Sequence, residues 1–126
     1  MNSLAKLNAA YTAFGSGDVA GLLALCDPAI TFTVPGNSPV SGSFTAGTFE
    51  NLVTNVMTLS AGTFREEILD LMAGEKYAAA WLVHSFERGG KQQSYKTLHL
   101  WGIGSNGFTS WQELPEDQHA FEVAWA

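Results

Sequence analysis

The stretch from Tyr77 to Ile103 constrains this chain more than any other. Two runs rich in β-forming residues, Tyr77 to Arg88 and Gln92 to Ile103, flank the pair Gly89-Gly90. Adjacent glycines accept positive φ at both central positions of a two-residue turn, so the runs are expected to fold back as an antiparallel hairpin with Arg88 opposite Lys91. Continuing in step, this register sets His84 opposite Tyr95 and Ala80 opposite His99. Because side chains alternate along a strand, Ala80, Leu82, His84, Tyr95, Thr97, His99 and Trp101 share one face, while Trp81, Val83, Ser85, Ser94, Lys96, Leu98 and Leu100 share the other. The first face is apolar, with two imidazoles, a phenol and a hydroxyl set into it, which is the make-up of a small-molecule pocket lining.

Composition narrows the classes that such a face can serve. With 126 residues and 46% apolar character, the chain reads as one domain spanning 1–126, and a domain of this size buries roughly two-thirds of its unfolded surface. Cys26 is the only cysteine, so no intrachain disulfide is available and a reducing, cytoplasmic setting is expected. No apolar run has the length of a secretory or membrane-spanning segment. The formal charge is −6 and the six Lys and Arg are scattered singly, which leaves no basic footprint for nucleic acid or anionic lipid. No repeat or low-complexity tract divides the chain.

Taken in order, Leu4, Leu7, Tyr11 and Phe14 recur at helical spacing after Asn2-Ser3, and Gly15-Ser16-Gly17 ends that helix. Asp18 caps a second, shorter helix carrying Val19, Leu22, Leu23 and Leu25, which Asp27-Pro28 is expected to terminate. Ile30 to Val34 alternates as a strand, and Pro35 to Pro39 reads as a loop. Thr48 precedes a third helix with the stripe Phe49, Leu52, Val53, Val56 and Met57. Thr63 to Met72 reads as a strand of mixed pattern, with Glu66, Glu67 and Asp70 on a solvated face. After the hairpin, Phe108 to Leu114 forms a last strand, and Glu116 to Trp125 a closing helix. These elements predict an α+β fold in which a strongly curved mixed/antiparallel sheet wraps over three N-terminal helices as a conical barrel.

The helix-turn AAYTAFGSGD, the strand-loop ITFTVPGNSPVSG and the ending LHLWGIGSNGFTSWQELPEDQHAFEVAW resemble the SnoaL-like branch of the nuclear transport factor 2-like superfamily, which includes ketosteroid isomerase and polyketide cyclases. The resemblance implies a conical α+β barrel with an apolar pocket, frequently a homodimer. It does not fix a reaction, because members differ in chemistry. In ketosteroid isomerase a carboxylate base ends the first strand, and a Tyr with a protonated Asp forms the oxyanion hole. Here Val34-Pro35 stands where the base would be, His99 stands at the acidic donor's place, and Tyr11 lies about one helical position from the tyrosine. The Asp-Arg-Asp pattern of the related epoxide hydrolases is not recognisable.

His99 is therefore the leading candidate for acid/base work. A three-residue loop directly after Ile103 would set His99 opposite Trp111 and Thr97 opposite Glu113, making His99 and Glu113 diagonal neighbours about 7–8 Å apart. Glu113 would then orient the imidazole and raise its pKa. Tyr11 either points its hydroxyl into the pocket or completes its helical stripe. Phe14, Phe32, Val34, Leu82, His84, Tyr95, Thr97, Trp101 and Trp111 are the expected ligand-binding wall, with His84 read as a polar residue at the rim. His84 and His99 should stand on the order of 14 Å apart along the hairpin, so no metal site is expected, and no cofactor. The expected partner is a small hydrophobic molecule, and the expected chemistry cofactor-free isomerisation, cyclisation or (de)hydration. The alternative is a non-catalytic ligand-binding or dimerisation module of the same fold.

Overall fold

The computed structural model describes Met1–Ala126. In chain order the elements are α1 (Ser3–Gly15), α2 (Val19–Leu23), β1 (Cys26–Val34), β2 (Gly42–Thr45), α3 (Phe49–Leu59), β3 (Arg65–Ala73), β4 (Tyr77–Arg88), β5 (Lys91–Gly104), β6 (Gly107–Pro115) and α4 (Gln118–Trp125). The six strands form one curved, unclosed mixed sheet in the order β2-β1-β6-β5-β4-β3. β3 to β6 make an antiparallel meander, and β1 lies parallel to β6. This is the α+β cone expected from the sequence. No helix is long and apolar enough to cross a membrane.

The β4–β5 hairpin has the register that Gly89-Gly90 dictates. Pairs run without a break from Arg88–Lys91 to Tyr77–Gly102, and both turn glycines have positive φ, 58° and 79°, as a two-residue turn with both centres left-handed requires. Ala78, Ala80, Leu82, His84 and Phe86 of β4 are buried on the concave side together with Tyr95, Thr97, His99 and Trp101 of β5. On the convex side Trp81, Val83, Leu98 and Leu100 are half-buried, and Leu114 is 41% exposed.

The helices enter the cone in the manner their caps specify. The Asn2 and Asp18 side chains accept from Ala5 N and Gly21 N at the starts of α1 and α2, each satisfying one of the donors that a helix start leaves open. Thr48 does not cap α3 with its side chain; its hydroxyl accepts from Thr45 N instead. α4 closes the narrow end, where Trp125 stacks on Phe86 with ring centres 3.9 Å apart. Arg88, at the end of β4, donates to the carbonyls of Trp125 and Leu59, so one guanidinium ties off the C-termini of α4 and α3.

In the N-terminal half one expectation is corrected and one further strand is found. Asp27-Pro28 does not end α2; the helix stops at Leu23, and both residues lie in β1, which begins at Cys26. The segment after the Pro35–Pro39 loop contains a strand, β2, whose Phe44 pairs with Phe32. Its four residues are too few for alternation to stand out.

Gly107 marks the point where β6 starts against β1. Its φ is 111°, and a Cβ there would lie 2.6 Å from the Leu25 carbonyl oxygen, which also accepts from Phe108 N at 3.1 Å. Gly107→Ala therefore meets both backbone strain and a backbone clash. The substitution is expected to destabilise the fold by more than about 1 kcal/mol, read as a lower denaturation midpoint at unchanged slope. A midpoint within error of the parent would refute this account of the β1–β6 start.

Candidate functional site

The concave face, α1 and α3 enclose a cavity with about 70 Å³ of room for the centres of water molecules. Its walls are mainly aromatic and aliphatic: Tyr11 and Phe14 from α1, Phe32 and Val34 from β1, Phe49, Leu52, Val53 and Val56 from α3, then Phe64, Trp101, Trp111 and Trp125. Glu66, His84, Tyr95, His99 and Glu113 supply the polar surface. An outer recess of about 430 Å³ shares Tyr11, Phe14, Val53, Phe64 and Glu66 with this cavity, and Gly15, Gly17, Met57 and Arg65 also bound it. The cone thus opens between the end of α1, α3 and the start of β3.

Two hydrogen-bonded groups occupy the polar side. In the first, Trp101 Nε1 donates to the Tyr11 hydroxyl oxygen at 3.1 Å, and that hydroxyl lies 2.7 Å from His99 Nδ1. Since the indole can only donate, the hydroxyl proton is free to go to Nδ1, and with the hydroxyl donating the neutral imidazole carries its proton on Nε2. His99 Nε2 is buried and has no partner. Burial pushes the His99 pKa down to about 4 against the opposing charges of Glu66 and Glu113, so the ring is neutral at physiological pH. Burial likewise holds the Tyr11 phenol well above its usual range.

The second group is a histidine between two carboxylates. His84 Nε2 is 2.8 Å from Glu66 Oε2, and His84 Nδ1 is 3.4 Å from Glu113 Oε2 and 3.2 Å from the Tyr95 hydroxyl. Trp125 Nε1 donates to that same hydroxyl at 2.9 Å. Burial opposes charge on His84, but Glu113 and Glu66 outweigh it and raise the pKa to about 9. Burial also opposes ionisation of Glu113, yet the charge of His84 holds its carboxyl below the usual value. At neutral pH the group is an imidazolium flanked by carboxylates. Cys26 stands apart, its thiol raised to about 11 by burial.

Several expectations change at this site. The β5–β6 turn is Ser105-Asn106, with Gly104 opposite Gly107 and an irregularity between Gly102 and Ile103. His99 therefore faces Glu113 directly, and Trp101 faces Trp111. Even so, the imidazole nearest to Glu113 Oε2 in a polar contact is His84, so Glu113 backs His84 rather than orienting His99. His84 is not at the rim: it is 3% exposed, and its ring centre lies 5.2 Å from that of His99. The backbone spacing along the ladder overstated that distance, because side chains converge on the inside of a strongly coiled sheet. Leu82 and Thr97 do not line the cavity. They form one cross-strand pair and are fully buried, and the two imidazoles flanking them along the ladder meet above them.

Glu66 was not expected in the site. A bulge between Ile68 and Asp70 sets Glu66 opposite His84; unbroken pairing from Ala73–Ala78 would have placed Glu67 there instead. The other expected wall residues, Phe14, Phe32, Val34, Tyr95, Trp101 and Trp111, do line the cavity. Phe64, the α3 stripe and Trp125 complete it.

No protein-family profile matches the chain, and no curated protein matches it. Solved structures do. Bal32a from a soil-derived mobile gene cassette superposes with a TM-score of 0.88 at 21% identity, covering 96% of this chain and 94% of its own. A nuclear transport factor 2-like protein from Burkholderia thailandensis gives 0.82 at 17% identity, covering 98% and 96%. TerC, co-crystallised with polyporic acid, gives 0.81 at 17% identity, covering 94% of each chain. The chain thus has the nuclear transport factor 2-like fold.

The two histidines are expected to titrate in opposite directions from an ordinary imidazole. By ¹⁵N NMR, His84 should remain protonated at pH 8, while His99 stays neutral at pH 5. The sign for stability follows from linkage. His84, with its folded pKa raised, contributes roughly 3 kcal/mol that is complete below about pH 6.5 and lost as pH rises through about 9. His99, with its folded pKa lowered, contributes stability that is lost as pH falls from 6.5 through about 4. Denaturation across pH should therefore show greatest stability near pH 6.5, and His84→Gln should flatten the alkaline limb. An alkaline limb that survives this substitution would contradict the assignment.

Proposed function

We propose that the protein binds a small, mostly apolar molecule carrying a carbonyl or similar oxygen, and moves a proton next to that oxygen without a cofactor. The observation that carries this reading is the buried, unpartnered His99 Nε2 beside a carboxylate in an aromatic cavity. A neutral imidazole held by Tyr11 presents Nε2–H to the substrate oxygen and stabilises negative charge developing there. Glu66 is the base. His84 holds its Oε2, Oε1 is left for the substrate's C–H, and a ligand atom of Glu66 lies within 4.8 Å of one of His99, a span that an enolisable O=C–C–H unit can bridge. Glu113 and Tyr95 fix His84 from behind. Isomerisation, cyclisation and (de)hydration all share this step.

A second reading, ligand binding without catalysis, rests on Val34, an apolar residue where related isomerases place their base. One experiment separates the two. 2-Tetralone and tetralin, the same ring system without oxygen, are titrated into the protein, and α-proton exchange of 2-tetralone is followed in D₂O; polyporic acid serves as a further binding probe, given its complex with TerC. The ketone should bind more tightly than the hydrocarbon, shift the His99 resonance and exchange faster than in buffer. Glu66→Gln should lower that exchange by at least 10²-fold while binding persists. Ketone binding without accelerated exchange would select the non-catalytic reading, and tetralin binding as well as tetralone would remove His99 from ligand recognition.

The reading includes a homodimer formed across the convex face of Trp81, Val83, Leu98 and Leu100, in a reducing cytoplasm where Cys26 remains a thiol. Sedimentation should give twice the chain mass, and Leu98→Glu should give the monomer. A parent protein that sediments as a monomer at micromolar concentration would overturn this part.

A further inference from the structure

We propose that Glu66, His84 and His99 form a binding site for a divalent first-row transition metal. One ligand atom from each lies within 4.8 Å of the others, although the three come from β3, β4 and β5. Bonds of about 2.0–2.2 Å set ligand atoms roughly 3.4 Å apart at tetrahedral angles. Glu66 Oε2 and His84 Nε2, at 2.8 Å, need only part slightly as the metal takes the place of the proton on His84 Nε2, which is released to solvent, and the His99 ring must swing inward by about the width of a bond.

The independent observation is the one nitrogen without an employer. His99 is 3% exposed, and its Nε2 has no hydrogen-bond partner. The second nitrogen of each ring is already engaged as it is in metal-bound histidines, where a neighbouring oxygen fixes ring orientation. His84 Nδ1 faces the Tyr95 hydroxyl at 3.2 Å and Glu113 Oε2 at 3.4 Å; His99 Nδ1 faces the Tyr11 hydroxyl at 2.7 Å. Tyr11 serves either tautomer of His99. Its hydroxyl donates to Nδ1 when Nε2 carries the proton, and accepts from Nδ1–H when Nε2 offers its lone pair. Two imidazoles and one carboxylate form a borderline donor set that suits zinc, iron, cobalt or nickel rather than calcium or magnesium. The remaining coordination positions face the aromatic cavity. The metal uses the nitrogen whose N–H would serve an organic ligand, so the site holds one or the other in that place.

The test needs no organic ligand. Co²⁺ is titrated into the full chain after chelator treatment and desalting, and followed by calorimetry, visible absorption and paramagnetic NMR shifts. One equivalent should bind with d–d absorption, and the His84 and His99 ring resonances should be displaced. His99→Gln and Glu66→Gln should weaken binding at least tenfold, Tyr11→Phe by about 10- to 100-fold, and His119→Gln should leave it unchanged. Affinity unaltered in His99→Gln, or displaced resonances confined to surface carboxylates, would assign the Co²⁺ to an adventitious site and overturn the proposal, as would absence of binding. The wild-type paramagnetic shifts decide the question even where a variant fails to fold.

Discussion

The site depends on one interaction, the imidazolium of His84 held between Glu66 and Glu113. Two carboxylates on the concave face of an aromatic cone would each carry a desolvation cost of several kcal/mol if left alone. His84 compensates both through opposite ring nitrogens, at 2.8 and 3.4 Å, and is itself charged only because they flank it. Removing His84 leaves two uncompensated carboxylates in low dielectric, where the penalty exceeds what the pairing had contributed. An apolar trio of equal volume would suit stability as well. A buried ionic group in this place is thus better explained by what it does for the cavity than by what it does for the fold.

The hydrogen-bonded chain that ends at His99 answers a different physical demand. Tyr11, Trp101 and His99 form a chain of neutral hydrogen bonds that ends in an N–H with no acceptor inside the protein. Burying such a donor costs free energy unless something arrives to accept from it. On His84 every ring nitrogen has an oxygen nearby; on His99 the last nitrogen is open to the cavity. The contrast between a compensated charge and an uncompensated neutral donor, with ring centres 5.2 Å apart, separates positioning from recognition. It also follows the pattern in which neighbouring titratable groups are driven apart in pKa so that they can take different roles.

How much of this was legible in the sequence depended on whether a turn or a bulge set the register. Gly89-Gly90 admits one tight turn, and the β4–β5 ladder followed in full, with His84, Tyr95, His99 and Trp101 on a common face. The observed β5–β6 pairing lies two residues from the one the sequence suggests, because Ser105-Asn106-Gly107 is compatible with more than one loop length and the irregularity at Gly102 adds an offset that no residue type announces. Glu66 was hidden for the same reason, since only the bulge before Asp70 makes it, and not Glu67, the partner of His84. Alternation identifies a face but not the coiling of the sheet. His84 and His99 were accordingly placed on the same side of the cone and kept apart, although curvature brings their rings together.

The sign of charge at the site limits what can enter it. With Glu66 and Glu113 ionised, His84 protonated and His99 neutral, the polar side carries a net negative charge within aromatic walls, in a chain whose formal charge is already −6. A carboxylate or phosphate entering this space would lose its hydration without gaining a cation, because the one cation present is already shared between two acids. A neutral oxygen acceptor avoids that cost and satisfies the open Nε2–H. A divalent cation draws on the same excess of negative charge and, once His84 releases its Nε2 proton, on both imidazoles. Neutral carbonyl compounds and transition-metal ions are thus not arbitrary alternatives: they are the two kinds of guest proposed for this arrangement of charges and one free nitrogen, and both proposals rest on the same unpartnered Nε2.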